Sequence, residues 1–122
     1  MSFAIRPPMV RLSVYLHAPT PQARTIEDAL RVLMWGTRLE PGCAGCQVWT
    51  SAGETTGRSD VHYEERWASE KSMENRVRSE AFTKVLEVLE AASDAPQVEF
   101  DFVYRHQGLE YVEEVRRANE KR

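Results

Sequence analysis

The order strand, helix, strand, strand, helix, strand predicts an α+β fold. It is the ferredoxin-like βαββαβ unit, an antiparallel four-stranded sheet with its helices on one face. Three observations carry this prediction. Four segments alternate apolar and polar residues with period two. Two intervening segments repeat apolar residues at helical spacing. The chain's 122 residues suit one domain, and its 42% hydrophobic and 29% charged residues are those of a globular protein rather than a disordered one.

The first strand starts at Val10. Val10, Leu12, Val14 and Leu16 share one face, and Arg11, Ser13, Tyr15 and His17 the other, until Pro19 ends it. Residues 1–9, with Pro7-Pro8, read as a tail that could anchor through Phe3 and Ile5. Thr20-Pro21 supplies an N-cap and an early proline for the first helix, and Ile26, Leu30, Leu33 and Met34 form its stripe. Glu27 and Asp28 near its start and Arg38 near its end agree in sign with the helix dipole. Pro41-Gly42 terminates it.

Cys46 to Ser51 is the second strand and residues 52–60, with Gly53 and Gly57, a hairpin loop. The third strand runs from Val61 to Trp67. It puts Val61, Tyr63, Glu65 and Trp67 on one face and His62, Glu64 and Arg66 on the other. Ser69 caps a helical region carrying Met73 and Val77, and Ser79 caps it again before Phe82, Val85, Leu86 and Leu89. That second cap predicts a kink or two short helices. After the break at Asp94 to Pro96, Val98, Phe100, Phe102 and Tyr104 define the fourth strand, with the apolar side toward the helices. The domain is expected over residues 10–108, and residues 109–122 form a charged helical extension whose Tyr111, Val112 and Val115 dock on a second subunit.

The sheet's other face, with Arg11, Tyr15, His17, His62, Glu64, Arg66, Glu99 and Asp101, mixes charges and aromatics. It is either a solvated face or the surface on which two sheets stack in a homodimer, opposite charges pairing across strands or subunits. A net charge of −3 without a basic stripe excludes a nucleic-acid binder that relies on phosphate neutralisation. No apolar run is long enough for a bilayer, and the opening residues lack the apolar stretch of a secretory leader. A cytoplasmic protein with no membrane partner is the expectation.

Glu40-Pro41-Gly42-Cys43 before a strand, then Tyr63-Glu64-Glu65-Arg66-Trp67-Ala68-Ser69, then Ser79-Glu80-Ala81-Phe82 resemble the antibiotic biosynthesis monooxygenase (ABM) family. The likeness covers roughly Val10 to Tyr104. It implies a dimeric α+β barrel of two packed sheets, with a pocket between each monomer's sheet and helices. Such families hold quinol or anthrone oxygenases that use no metal or flavin, and haem-degrading oxygenases. The haem branch uses a second-helix histidine as ligand and a first-strand asparagine. Here the histidines are His17, His62 and His106 and the asparagines Asn75 and Asn119, so Trp67 alone matches that branch.

What the resemblance implies is therefore oxidation of a small electron-rich aromatic by O₂, with no cofactor and no metal. Such chemistry needs an apolar slot, a base and stabilisation of an anion. Candidate walls are Trp67, Tyr63, Leu12, Val14, Phe82 and Phe100. Glu65, a carboxylate in an apolar layer, is the first candidate base, with a raised pKa if unpaired; alternatively it pairs with a helix Arg or Lys. His62 is the second candidate, although the third strand's alternation places it on the opposite face, opposite Tyr15. Two other readings stay open. One is a non-enzymatic ligand-binding or stress-related barrel. The other is a thiol-redox protein using Cys43 and Cys46, although that C-x-x-C follows a helix end and lacks a helix N-terminus to activate it.

Overall fold

A computed structural model describes residues 9–52, 57–105 and 107–120. The elements are β1 (Met9–Pro19), α1 (Thr20–Arg38), β2 (Cys43–Ala52), β3 (Arg58–Trp67), α2 (Glu70–Val77), α3 (Glu80–Glu90), β4 (Gln97–Val103) and α4 (Glu110–Glu120). The four strands form one antiparallel sheet in the order β2-β3-β1-β4, as the ferredoxin-like reading requires. The tail carrying Phe3 and Ile5, and His106, lie outside the described residues.

Register follows from which side chains must be dry. A slip of one residue would turn every apolar side chain of a half-buried strand to the wrong face. Val10, Leu12 and Val14 of β1 accordingly stand opposite Trp67, Glu65 and Tyr63 of β3, and opposite Phe102, Phe100 and Val98 of β4. Tyr15 stands opposite His62, as the alternation predicts. The helical layer covers this face with α1 over β2 and β3, α3 against α1, and α2 over β1 and β3.

Ile26, Leu30 and Met34 of α1 are buried together with Ala23 and Thr37. The chain caps this helix differently from the expectation. Pro19 is the N-cap and makes no side-chain bond, while the Thr20 hydroxyl pairs with Ser59 Oγ at 3.0 Å. No acidic residue lies in the first turn of α1; Glu27 instead pairs with Arg31 one turn on, at 2.7 Å. The predicted double capping of the second helical region holds. Ser69 Oγ accepts from Ser72 N at 3.1 Å and Ser79 Oγ from Phe82 N at 3.2 Å, giving two short helices.

Three expectations are corrected. β2 begins at Cys43, so the C-x-x-C lies within a strand, across an irregular register between Cys43 and Gly45. Val77 and Leu86 stay exposed, and the buried side chain of the last turn of α2 is Arg76. Val98, Phe100 and Phe102 point to the helix side but remain 46%, 41% and 49% exposed, because among the described residues no helix packs closely over β4.

Between α1 and β2 the chain turns at Gly42, whose φ of +86° suits glycine. Its carbonyl accepts from Ala68 N at 2.8 Å, tying this turn to the end of β3. A Cβ here would stand 2.3 Å from Ser72 Oγ, whereas one at Gly57, with φ +68°, would meet open space. Gly42→Ala is therefore expected to lower the unfolding free energy by about 2–3 kcal/mol, and Gly57→Ala by about 1 kcal/mol. Urea titration checks this, and equal losses would contradict the steric account.

Candidate functional site

The register gathers the residues of interest into three rows across β3, β1 and β4. They read Trp67–Val10–Phe102, Glu65–Leu12–Phe100 and Tyr63–Val14–Val98. All point to the helix side. The structure thus brings Tyr63, Glu65, Trp67, Leu12, Val14 and Phe100 onto one continuous patch. It also divides that patch. The β3 and β1 columns are enclosed, with Tyr63 and Glu65 at 0% and Trp67 at 1% exposure, and the β4 column is open.

Glu65 is charged and desolvated, so its stability depends on its partners. Arg76 supplies two of them, Nε to Oε1 at 3.0 Å and Nη2 to Oε2 at 2.9 Å. Trp67 Nε1 donates to Oε1 at 2.9 Å, and the Tyr63 hydroxyl donates to Oε2. Of the two sequence-level readings of Glu65, the structure shows the paired one.

Arg76 is equally enclosed. It donates from Nη1 to Glu40 Oε2 at 2.6 Å and from Nη2 to Thr37 Oγ1 at 3.0 Å, and its guanidinium lies 5.3 Å from the Phe82 ring centroid. Burial alone would lower the Arg76 pKa, but the hydrogen bonds and charge of Glu65 outweigh it and raise the pKa further. Burial, and then the charge of Glu65, push the Tyr63 phenol well above its ordinary value. The Ser79 hydroxyl donates to the Arg76 carbonyl at 2.7 Å, so the break between α2 and α3 sits where the network needs Arg76 to be.

The open column borders a groove. Its volume is about 400 Å³, and Met73, Val77, Phe100 and Phe102 form its apolar lining. Glu70, Glu74 and Arg78 of α2 form its polar rim, and the Tyr104 hydroxyl donates to Glu70 at one end. That bond raises the Tyr104 pKa. Phe100 lines the groove directly; Leu12 beside it in the sheet, and Phe82 under Arg76, do not. Sequence reasoning missed Arg76, Thr37 and Glu40. The signal available was the lone carboxylate on an apolar strand face, which requires a cationic partner, and an arginine three residues after buried Met73 on the same helical stripe.

His62 lies on the sheet's other face. It stacks between Tyr15 and Trp49, with ring centroids 4.4 and 4.7 Å away, and its Nε2 has no partner although it is shielded. His17 Nδ1 meets Asp60 at 2.5 Å, and Arg11 meets Asp101 at 3.3 Å, an opposite-charge pair across strands as expected. Cys43 and Cys46 are free thiols, and burial raises both pKa values, that of Cys46 to about 11. Burial thus shifts both thiols away from the low-pKa environment of a reactive cysteine, which argues against the thiol-redox reading. Among the described residues no cluster of three or more His, Cys, Asp or Glu could hold a metal ion, and no helix is long and apolar enough to cross a membrane.

Comparison with known proteins gives consistent results. The family model of antibiotic biosynthesis monooxygenases matches residues 9–88. No curated protein matches the chain. Among solved structures, a conserved protein from Methanosarcina mazei is 18% identical with a TM-score of 0.63, covering 80% of this chain and 93% of its own. A Bacteroides thetaiotaomicron protein of unknown function, described as a possible oxidoreductase, is 14% identical with a TM-score of 0.61, over 80% and 97%. A structure named as an antibiotic biosynthesis monooxygenase is 15% identical with a TM-score of 0.59, over 75% and 95%. At these identities the likeness establishes the fold.

Removing one member of a buried ion pair strands the other. Arg76→Met is expected to cost about 3–5 kcal/mol of stability. Glu65→Gln/Arg76→Met should cost at least about 1 kcal/mol less than the sum of the single changes, because the two act as one unit. Denaturant unfolding of the four proteins measures this. Strict additivity would contradict the coupling.

Proposed function

The chain belongs to the antibiotic biosynthesis monooxygenase family, and we propose that it oxygenates a small, flat, electron-rich aromatic of the quinol or anthrone type in the groove between α2 and β4. The observation that carries this reading is the groove itself. It is an apolar slot faced by two aromatic rings, on the helix side of the sheet, with a carboxylate rim. A planar ring fits against Phe100 and Phe102, and Met73 gives it a polarisable wall.

The chemistry asks the protein for little beyond that. For a substrate of the anthrone type, loss of a proton from the activated ring CH₂ leaves an anion that hands one electron to O₂. The carbon radical and superoxide then combine, and loss of water leaves a carbonyl. In sum, a CH₂ and O₂ become C=O and H₂O, with all four electrons coming from the substrate. No separate cofactor is required by this balance. Glu70, hydrogen-bonded by Tyr104 at the rim, is the groove's acceptor for the first proton.

Glu65 acts in this proposal from behind the slot. With Arg76 it fixes Trp67, Tyr63 and α2, while Leu12, Val14 and Phe82 pack the layer on which the slot rests. His62 belongs in this reading to the homodimer interface, where a second copy of the sheet covers Tyr15, His62 and Trp49. Such an assembly fits a cytoplasmic enzyme acting on a small-molecule partner.

A second reading has one observation in its favour. The Glu65 carboxylate, within the apolar layer, has both oxygens occupied by four donated hydrogen bonds, which suits a protein that binds an aromatic without turning it over. Oxygen uptake with a panel of anthrones and quinols, alongside ligand binding by fluorescence, separates the two. Turnover is expected, with Glu70→Gln lowering kcat by about a hundredfold and Phe100→Ala lowering kcat/KM by about tenfold. Binding without oxygen uptake would establish the second reading instead.

A further inference from the structure

The α2–β4 groove differs from end to end. Its apolar lining comes from Met73, Val77, Phe100 and Phe102, and its charges stand on the α2 rim. Glu70, Glu74 and Arg78 follow one another at helical spacing, so they share one flank of α2. At ~1.5 Å per residue, Glu70 and Arg78 stand about 12 Å apart along the helix. Tyr104 donates to Glu70 at the first end. Phe102 and Phe100 follow back along β4, roughly 7 and 14 Å from Tyr104, which carries Phe100 toward the Arg78 end.

The two ends differ in what they still have to offer. The Glu70 carboxylate accepts the Tyr104 hydroxyl. The Arg78 side chain has no hydrogen bond or ion pair among the described residues, although Glu74 stands one turn before it. Its backbone is nevertheless fixed. Arg78 N donates to Glu74 O at 3.2 Å as the C-cap of α2, and Ser79 N donates to Arg76 O at 3.0 Å where α3 begins. With Arg76 drawn into the core, the residue about half a turn further on is directed to the groove rim.

A guanidinium offers paired N–H donors in a planar fork that matches a carboxylate. Beside an apolar wall, where water is partly excluded, such a pair is stronger than on an open surface. The same contact gives the slot a direction. A neutral ring can enter it either way round. A ring acid is repelled by Glu70 and held by Arg78, so its opposite edge is offered to Glu70. A cationic ring would instead set its charge on Glu70 and occupy the proton acceptor.

We propose that the groove selects aromatic carboxylic acids, with Arg78 reading the carboxylate and directing the far edge of the ring system to Glu70. The substrate class narrows from an electron-rich aromatic to a bicyclic or tricyclic ring acid, whose length suits the interval between the two ends. This inference rests on the groove being the aromatic-binding slot, and the preference for an acid holds whether or not turnover follows. Arg78 acts as a specificity-determining residue, remote from the reacting carbon.

Three probes of one shape test it by isothermal titration calorimetry at neutral pH: naphthoate, neutral naphthol and cationic naphthylmethylammonium. Naphthoate is expected to bind about tenfold more tightly than either of the others. Arg78→Gln should remove that advantage and leave naphthol affinity within about twofold of wild type. Arg78→Lys should restore part of it, as a point charge without the fork. Glu74→Gln should strengthen naphthoate binding about twofold, because a like charge is gone. A damaged fold would weaken all three probes together, so the ratio of naphthoate to naphthol affinity is the readout. Equal affinities, a preference for the cation, or a naphthoate advantage that survives Arg78→Gln overturns the proposal and leaves the aromatic slot in place. Failure of every probe to bind overturns the slot and the proposal with it. An Arg78-dependent preference for naphthoate, without oxygen uptake on any ring acid, upholds the proposal and removes only the turnover.

Discussion

Glu65 lies on the dry face of β3, where an uncompensated charge would cost far more than the fold could bear. Arg76, Tyr63 and Trp67 compensate it, and Arg76 in turn reaches Thr37 and Glu40 at the end of α1. A central strand and two helices are thereby held at one point. Such a cluster adds little net stability over an apolar core of similar volume, but it tolerates few alternative arrangements of the elements that supply it.

The position of α2 follows from that constraint, and the groove follows from α2. Arg76 draws the last turn of α2 over β3 and β1, and the Ser79 cap starts α3 immediately afterwards. The helical layer consequently ends short of β4. Three apolar side chains of an edge strand are left beside the flank of α2, and a slot results where a fully covered sheet would have none. The apolar slot and the network that holds it are two parts of one arrangement.

Much of the fold was legible in the sequence, and the reasons are local. Alternation fixed the facing of β1 and β3 because both are central strands with one dry face, so Tyr15 meets His62 and Leu12 meets Glu65. Serine caps located both short helices because Ser69 and Ser79 satisfy amides within three residues. The site was legible in part. Trp67, Tyr63 and Glu65 could be placed on one face, but Arg76 reads as a surface residue until its buried partner is known. The exposure of Phe100 and Phe102 depends on where the helical layer ends. That is a tertiary fact, and alternation along β4 carries no trace of it. The start of β2 at Cys43 was hidden for a similar reason, since Gly45 disguises strand pairing that the neighbouring β3 imposes.

The central claim is that the Glu65–Arg76 cluster positions α2 and the end of α1 against the sheet. Amide hydrogen exchange in the wild type and in Arg76→Met, under conditions where both are folded, tests it most directly. The account predicts that residues 70–77 and the turn at Thr37–Glu40 exchange at least about tenfold faster in the variant, while amides in the β1–β3 pair keep nearly their full protection relative to them. Uniform acceleration across all elements, or unchanged protection in α2, would contradict it.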